Sequence, residues 1–223
     1  MLTCLVGHTD HVDMNFLAHA FLARDQSDLL LGSLMGDFVK GPLDGRYAPS
    51  ITRGLILHRG VDTYTDAHAI VARSRARVAP IRRRYAGILV DLFYDHYLAR
   101  YWSDYAATPL DQFTASVYAT LLDRPHLLPE RLRDIAPHMA SRDWLGSYRD
   151  IAAVGESLDR IGTRLKRGNA LLGSVKELIA NYASLEADFR AFFPDVVRFA
   201  QEAQAASACL AGSALANGAC PRV

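Results

Sequence analysis

The sequence predicts an all-α fold, a single-domain bundle of several helices. Three observations lead there. Apolar residues recur at spacings of three and four, no convincing run alternates as a strand would, and Gly and Pro cut the chain into helix-length pieces. At 223 residues the chain can bury a sizeable single core.

Residues 1–13, MLTCLVGHTDHVD, lack both a helical pattern and the basic start of a signal peptide. They are expected to be a leader, with the folded unit beginning near Met14. Phe16, Leu17, Ala20 and Phe21 form the apolar stripe of a first helix, and Asn15 is the expected cap. The stretch 36–50, GDFVKGPLDGRYAPS, is a loop because it holds three Gly and two Pro. A helix with Ile51, Leu55 and Val61 on its apolar side follows. Gly60 within it suggests a close approach of another element. Pro80 interrupts the next helical stretch. Leu89, Leu92, Phe93, Leu98 and Trp102 mark the most apolar helix, placed at the centre.

Pro109, Pro125, Pro129 and Pro137 are expected boundaries. Residues 147–167 and 171–193 read as two long amphipathic helices, and Pro194 is expected to open a last one. Residues 203–220 carry no charge and are rich in Ala. The expected organisation is therefore a helical domain over 14–200 and a disordered tail over 201–223.

The formal net charge of +1 gives no reason to expect nucleic acid or membrane as a partner. No apolar run reaches the roughly 18 residues needed for a membrane span. Cysteines 4, 209 and 220 offer neither a disulfide framework nor zinc spacing, which suits a reducing cytoplasm. Arg outnumbers Lys by 22 to 3 and Asp outnumbers Glu by 19 to 5. Coding bias explains that skew as well as chemistry does. The chemical reading is that Arg forks suit phosphate and Asp suits hard divalent cations.

Five groups of residues could carry chemistry. In HRGVDTYTD, His58, Asp62 and Asp66 are spaced four apart and form a polar row on a helix. A His and an Asp so spaced can chelate one ion, or simply bond each other on a solvated face. In DLFYDHYLARYW, Asp95 and His96 sit in an aromatic run, where a lone buried carboxylate is costly. A cation would remove that cost, and so would a core ion pair with Arg100 or Arg59. Adjacent side chains diverge by about 100° on a helix, so the two cannot both point at one spot unaided. His19 lies on the first apolar stripe and Asp37 follows Gly36 at a helix end. A hydrogen-bonded core histidine and a turn cap are their plain readings. Finally, Arg73, Arg75, Arg77, Arg82, Arg83 and Arg84 have no acid among them. They form a solvated face or a positive patch for an acidic partner.

Taken together, these residues suggest a divalent metal site of His and Asp ligands. A ferritin-like di-iron bundle is disfavoured because no Glu-x-x-His occurs. Phosphate-binding Gly-rich loops and a G-x-S-x-G elbow are also absent.

MNFLAH at 14–19, GDFVKG at 36–41, HRGVDTYTD at 58–66, YDHYLARYW at 94–102 and YRD at 148–150 resemble the acyl carrier protein phosphodiesterase family, an atypical branch of the HD phosphohydrolases. The resemblance covers about residues 14–200, and family members tend to begin at the methionine of MNFLAH. It implies an HD-phosphohydrolase-like helical fold and Mn²⁺-dependent hydrolysis, with Mg²⁺ or another divalent cation able to serve. The implied substrate is holo-acyl carrier protein, cleaved to apo-protein and 4′-phosphopantetheine, which would place the chain in fatty acid and lipid metabolism.

By motif, Asp37 matches the family's functionally important Asp, and His19, His58, Asp62, Asp95 and His96 match its other candidate ligands. The order Asp-His at 95–96 departs from the usual His-Asp pair. Arg59 is a candidate for neutralising phosphate charge, and Asp66 or a His for protonating the leaving serine oxygen. Arg73, Arg77, Arg82, Arg83 and Arg84 are candidates for contact with the acidic carrier. Two other readings share these residues: an HD-type hydrolase of a nucleotide or other small phosphodiester, and a non-catalytic helical binding module. Oligomeric state is not legible.

Overall fold

A computed structural model describes residues 15–164 and 170–216. The expected leader, 1–13, and the last residues, 217–223, lie outside them. Among the described residues the chain is all helix and turn, with no strand. It runs through α1 (Phe16–Leu22), α2 (Ser27–Met35), α3 (Pro49–Ala67), α4 (Ala69–Arg77) and α5 (Ala86–Arg100). α6 (Leu110–Leu122), α7 (Glu130–Ser141), α8 (Trp144–Ser147), α9 (Ile151–Arg164), α10 (Val175–Ala180) and α11 (Tyr182–Ala216) follow. Short 3-10 turns cover Pro80–Tyr85, Trp102–Asp104 and Pro125–Leu127. None of these helices is long and apolar enough to cross a membrane.

The core forms around α5, as its apolar composition predicts. Leu89, Leu92, Phe93, Leu98 and Trp102 are all buried, and α1, α4, α8, α9 and α11 pack about the helix. α2 and α3 cross with their backbones in near contact. A Cβ on Gly32 would fall 2.0 Å from the Ile51 carbonyl oxygen, and one on Gly54 2.3 Å from that of Leu29. Only glycine allows that crossing, which sets α3 firmly beside α2. Gly60 plays no such part, since its Cβ would meet only the Phe199 ring at 3.5 Å.

Several boundaries differ from expectation. Pro109 and Pro129 do cap helices, and Pro125 opens a 3-10 turn. Pro137, however, lies inside α7, and Pro194 lies inside α11 rather than opening a helix. Pro194 cannot donate to the carbonyl four residues back. Burial of Phe189, Phe192, Phe193 and Val196 carries the helix past it. The stretch 171–193 is two elements, broken at Asn181. α11 also continues through 201–216, where composition suggests a tail, and Gln204 donates to the Leu22 carbonyl at 3.0 Å.

Asn15 stands at the N-cap position of α1, but its side chain makes no capping bond. The cap comes from Asp95, far away in sequence, which accepts from the amides of Leu17 and Ala18 at 3.0 and 2.9 Å.

Candidate metal centre

Three elements bring one polar cluster together. α1 supplies His19, α3 supplies His58 and Asp62, and the turn after α2 supplies Asp37. The Asp62 carboxylate spans both imidazoles. Its Oδ1 lies 3.0 Å from His19 Nε2 and its Oδ2 lies 3.1 Å from His58 Nε2. Asp37 Oδ1 is 3.3 Å from that same His58 nitrogen. The two imidazole rings stack, with centroids 3.9 Å apart. One ligand atom from each of His19, His58 and Asp62 lies within 4.8 Å of the others, so the three form a possible metal site.

The local sequence explains the packing. His58 and Asp62 share a face because they are one turn apart. Gly36 leaves the space that the His58 ring fills, since a Cβ there would fall 2.1 Å from His58 Cγ. The side chains of His19, His58 and Asp37 are 2%, 4% and 7% exposed, while Asp62 is 36% exposed. The cluster therefore meets solvent along its Asp62 edge.

These groups are close, yet they do not satisfy one another. His19 Nε2 and Asp37 Oδ1, which face the cluster, are buried without a partner in hydrogen-bond geometry, as are the Nδ1 atoms of both histidines. Buried polar atoms are normally paired, and an unpaired one costs about 1–3 kcal/mol. Imidazole nitrogens and carboxylate oxygens that converge with part of their hydrogen-bonding capacity unmet fit a cation. Among the described residues neither Nδ1 atom has a hydrogen-bond partner of the kind that orients many metal-binding imidazoles.

Protonation follows from burial and neighbours. Burial, helped by the adjacent His58, holds His19 below its ordinary value. Burial also opposes the charge on His58, but Asp37 and Asp62 outweigh it and raise that group to about 9. Burial works against the Asp62 carboxylate, yet its two histidines hold it well below the usual range. In the metal-free cluster His58 is thus protonated at neutral pH, and a cation must displace that proton.

The other candidates lie elsewhere. Asp95 is fully buried, and its two oxygens cap α1, which it meets beside His19 without joining the cluster. It pairs with neither Arg100 nor Arg59. Burial drives its carboxyl up to about 8, against the pull of the two amides. His96 turns away, with Nδ1 2.8 Å from the Tyr148 carbonyl and Nε2 3.0 Å from the Tyr182 hydroxyl. Both atoms that could ligate are therefore occupied. Asp66 is exposed and bound by Arg75 at 2.5 Å. A row spaced by four drifts about 40° per step, so by Asp66 it has left the inward face. Arg59 donates to the carbonyls of Val39 and Gly41, both at 2.9 Å, and ties the loop that carries Asp37 to α3.

The arginine run is largely neutralised within the fold. Arg73 and Arg77 converge on Asp188, and Arg82 pairs with Glu177. Arg83 and Arg84 stay exposed, Arg83 reaching the Val78 carbonyl and Arg84 lying over the Tyr85 ring. Asp188 belongs to none of the sequence motifs. Its signal was a carboxylate in the apolar stripe of Leu185, Phe189 and Phe192, a position that demands partners.

A family model described as acyl carrier protein phosphodiesterase matches residues 14–196. Curated proteins named acyl carrier protein phosphodiesterase match as well. The protein of Serratia proteamaculans is 34% identical over 86% of this chain and all of its own length. That of Yersinia pestis is likewise 34% identical over 86% of this chain and its whole length. An Escherichia coli protein is 34% identical over 81% of this chain and 94% of its own. No solved structure matches, so the HD-like part of the expected fold rests on the His and Asp motifs alone.

Proposed function

Because the chain belongs to the acyl carrier protein phosphodiesterase family, we propose that it hydrolyses holo-acyl carrier protein to apo-protein and 4′-phosphopantetheine. In this reading His19, His58 and Asp62 hold a divalent cation, Mn²⁺ first and Mg²⁺ as a substitute, with Asp37 completing the donor set. The observation that carries it is the convergence of ligand atoms from His19, His58 and Asp62, with His19 Nε2 and the neighbouring Asp37 Oδ1 buried and without hydrogen bonds among the described residues. A bound divalent cation supplies Lewis acidity, which neutralises charge on phosphate oxygens and makes water a better nucleophile at neutral pH.

The residues of the chain prepare that chemistry. Asp62 orients both imidazoles at once and forms the solvent edge where a phosphodiester can approach. Arg59 fixes the loop behind Asp37 and so acts as a positioning residue, not a phosphate clamp. Asp66 is bound by Arg75 and exposed, so the proton for the departing serine oxygen is not assigned to it. Of the expected carrier contacts, Arg83 and Arg84 keep exposed guanidinium groups for an acidic partner. Cytoplasmic residence belongs to the same reading.

The test is direct. Full-length protein is incubated with holo-acyl carrier protein and Mn²⁺, and intact mass reports loss of the phosphopantetheine group. Loss with Mn²⁺ and none with chelator is the expected result. An unchanged carrier mass with Mn²⁺ present overturns the activity, and absence of any bound divalent ion would favour a binding module.

A further inference from the structure

A polar pocket lies between α7, α8 and α9, and none of its lining residues belongs to the His–Asp cluster. Its volume is about 340 Å³, within the range of small-molecule sites. Arg142, Arg160 and Arg164 line it together with Trp144, and Glu156 is its one carboxylate.

These arginines differ from most others in the molecule. Arg73, Arg75, Arg77, Arg82, Arg124, Arg190 and Arg198 each pair with a carboxylate. Among the described residues, Arg142, Arg160 and Arg164 have no ion-pair partner. Arg160 lies 5.2 Å from the Trp144 ring centre, and its Nη2 donates to the buried Ser157 hydroxyl at 2.9 Å. That leaves Arg160 Nε, a buried donor with no partner. The Trp144 indole N–H lies beside the buried Tyr148 hydroxyl without forming a hydrogen bond with it.

Guanidinium forks left without carboxylates suit a doubly charged, oxygen-rich anion. The indole supplies an apolar wall for whatever the anion is attached to. We propose that this pocket binds a small phosphomonoester, its phosphoryl group held by Arg142, Arg160 and Arg164 and its remainder placed against Trp144. The shared chemistry is the phosphoryl dianion, whether it comes from free phosphate or from a phosphorylated organic molecule such as the proposed product.

The test needs no catalysis, so it stands apart from the activity proposed above. Full-length protein is titrated by calorimetry and by tryptophan fluorescence with inorganic phosphate, with 4′-phosphopantetheine and with pantetheine. Trp102, the other tryptophan, is buried and already donates to the Thr108 carbonyl, so it gives little response. Saturable heat and quenching are expected with both phosphorylated probes and not with pantetheine. In R142A/R164A, which changes two exposed side chains, affinity should fall at least about tenfold. Tighter binding of phosphopantetheine than of phosphate assigns the pocket to the organic ligand, and equal binding assigns it to phosphate itself. No saturable binding, an equal response to pantetheine, or unchanged affinity in the double variant overturns the proposal. So does a weakened interaction of that variant with carrier protein alone, which would make this face a protein contact.

Discussion

α3 and α5 each place an Asp and a His within one turn, and they use them in opposite ways. On α5 both groups are consumed by the fold. Asp95 gives its two oxygens to the first amides of α1, and His96 bridges the Tyr148 carbonyl and the Tyr182 hydroxyl. On α3, His58 and Asp62 meet His19 and Asp37, and the atoms that converge leave buried positions unsatisfied. Residue type and burial do not separate a site from a structural pair here. Satisfaction of hydrogen bonds is what differs between the two clusters. Asp95 nevertheless supports the α3 cluster, because it anchors the start of the helix that carries His19.

The comparison breaks most sharply under substitution. Asp62→Ala should reduce Mn²⁺-dependent release of phosphopantetheine by at least about 100-fold, more than loss of an outer-shell partner costs. Its melting temperature should fall only slightly, because Asp62 is partly exposed and its loss removes only its pairing with the two histidines. Near-normal activity in this variant would show that the cluster is not the site.

Asp95→Ala should do the reverse. It removes two capping bonds and leaves amides of α1 unpaired, at a cost of about 2 kcal/mol. In a chain of this size that lowers the melting temperature by roughly 4–8 °C. Per folded molecule, Mn²⁺ affinity should change less than in Asp62→Ala. A variant that melts normally but no longer binds Mn²⁺ would make Asp95 a ligand and erase the distinction.

The effect that is smallest per step concerns protons. His58 is raised from 6.5 to about 9 in the metal-free protein, so the cation displaces a proton throughout that range. Mn²⁺ affinity should therefore climb with pH, by up to about tenfold per unit, and level off near 9. Stability of the metal-free fold runs the other way. The contribution of a raised histidine is fully present below 6.5 and is lost as pH rises through about 9. Mn²⁺ titrations across that window check the first slope. An affinity that ignores pH would show that His58 carries no proton to displace.

Much of this could be read before the structure, and the residues show why. The four-residue spacing of His58 and Asp62 is a local helical rule, so their shared face was predictable. Divergence of the neighbours Asp95 and His96 was predictable in the same way, though the neighbours each would meet were not. Asn15 reads as a cap because Asn caps helices locally, yet a carboxylate from α5 took the position. The arginine run reads as a positive patch because no acid lies near it in sequence, while Asp188 and Glu177 reach it from α11 and α10. Pro194 reads as a helix start because the cost of an interior proline is local, and the aromatic packing that offsets it is not.

By itself, then, the sequence determined the all-α class, the apolar centre at α5 and the set of His and Asp residues from which a site could be built. Those depend on period, spacing and residue chemistry, which act over a few neighbours along the chain. Only the tertiary structure decided which of those residues are spent on the fold and which remain available. Hydrogen-bond satisfaction is a property of the whole surrounding shell, and here that shell comes from segments dozens of residues apart.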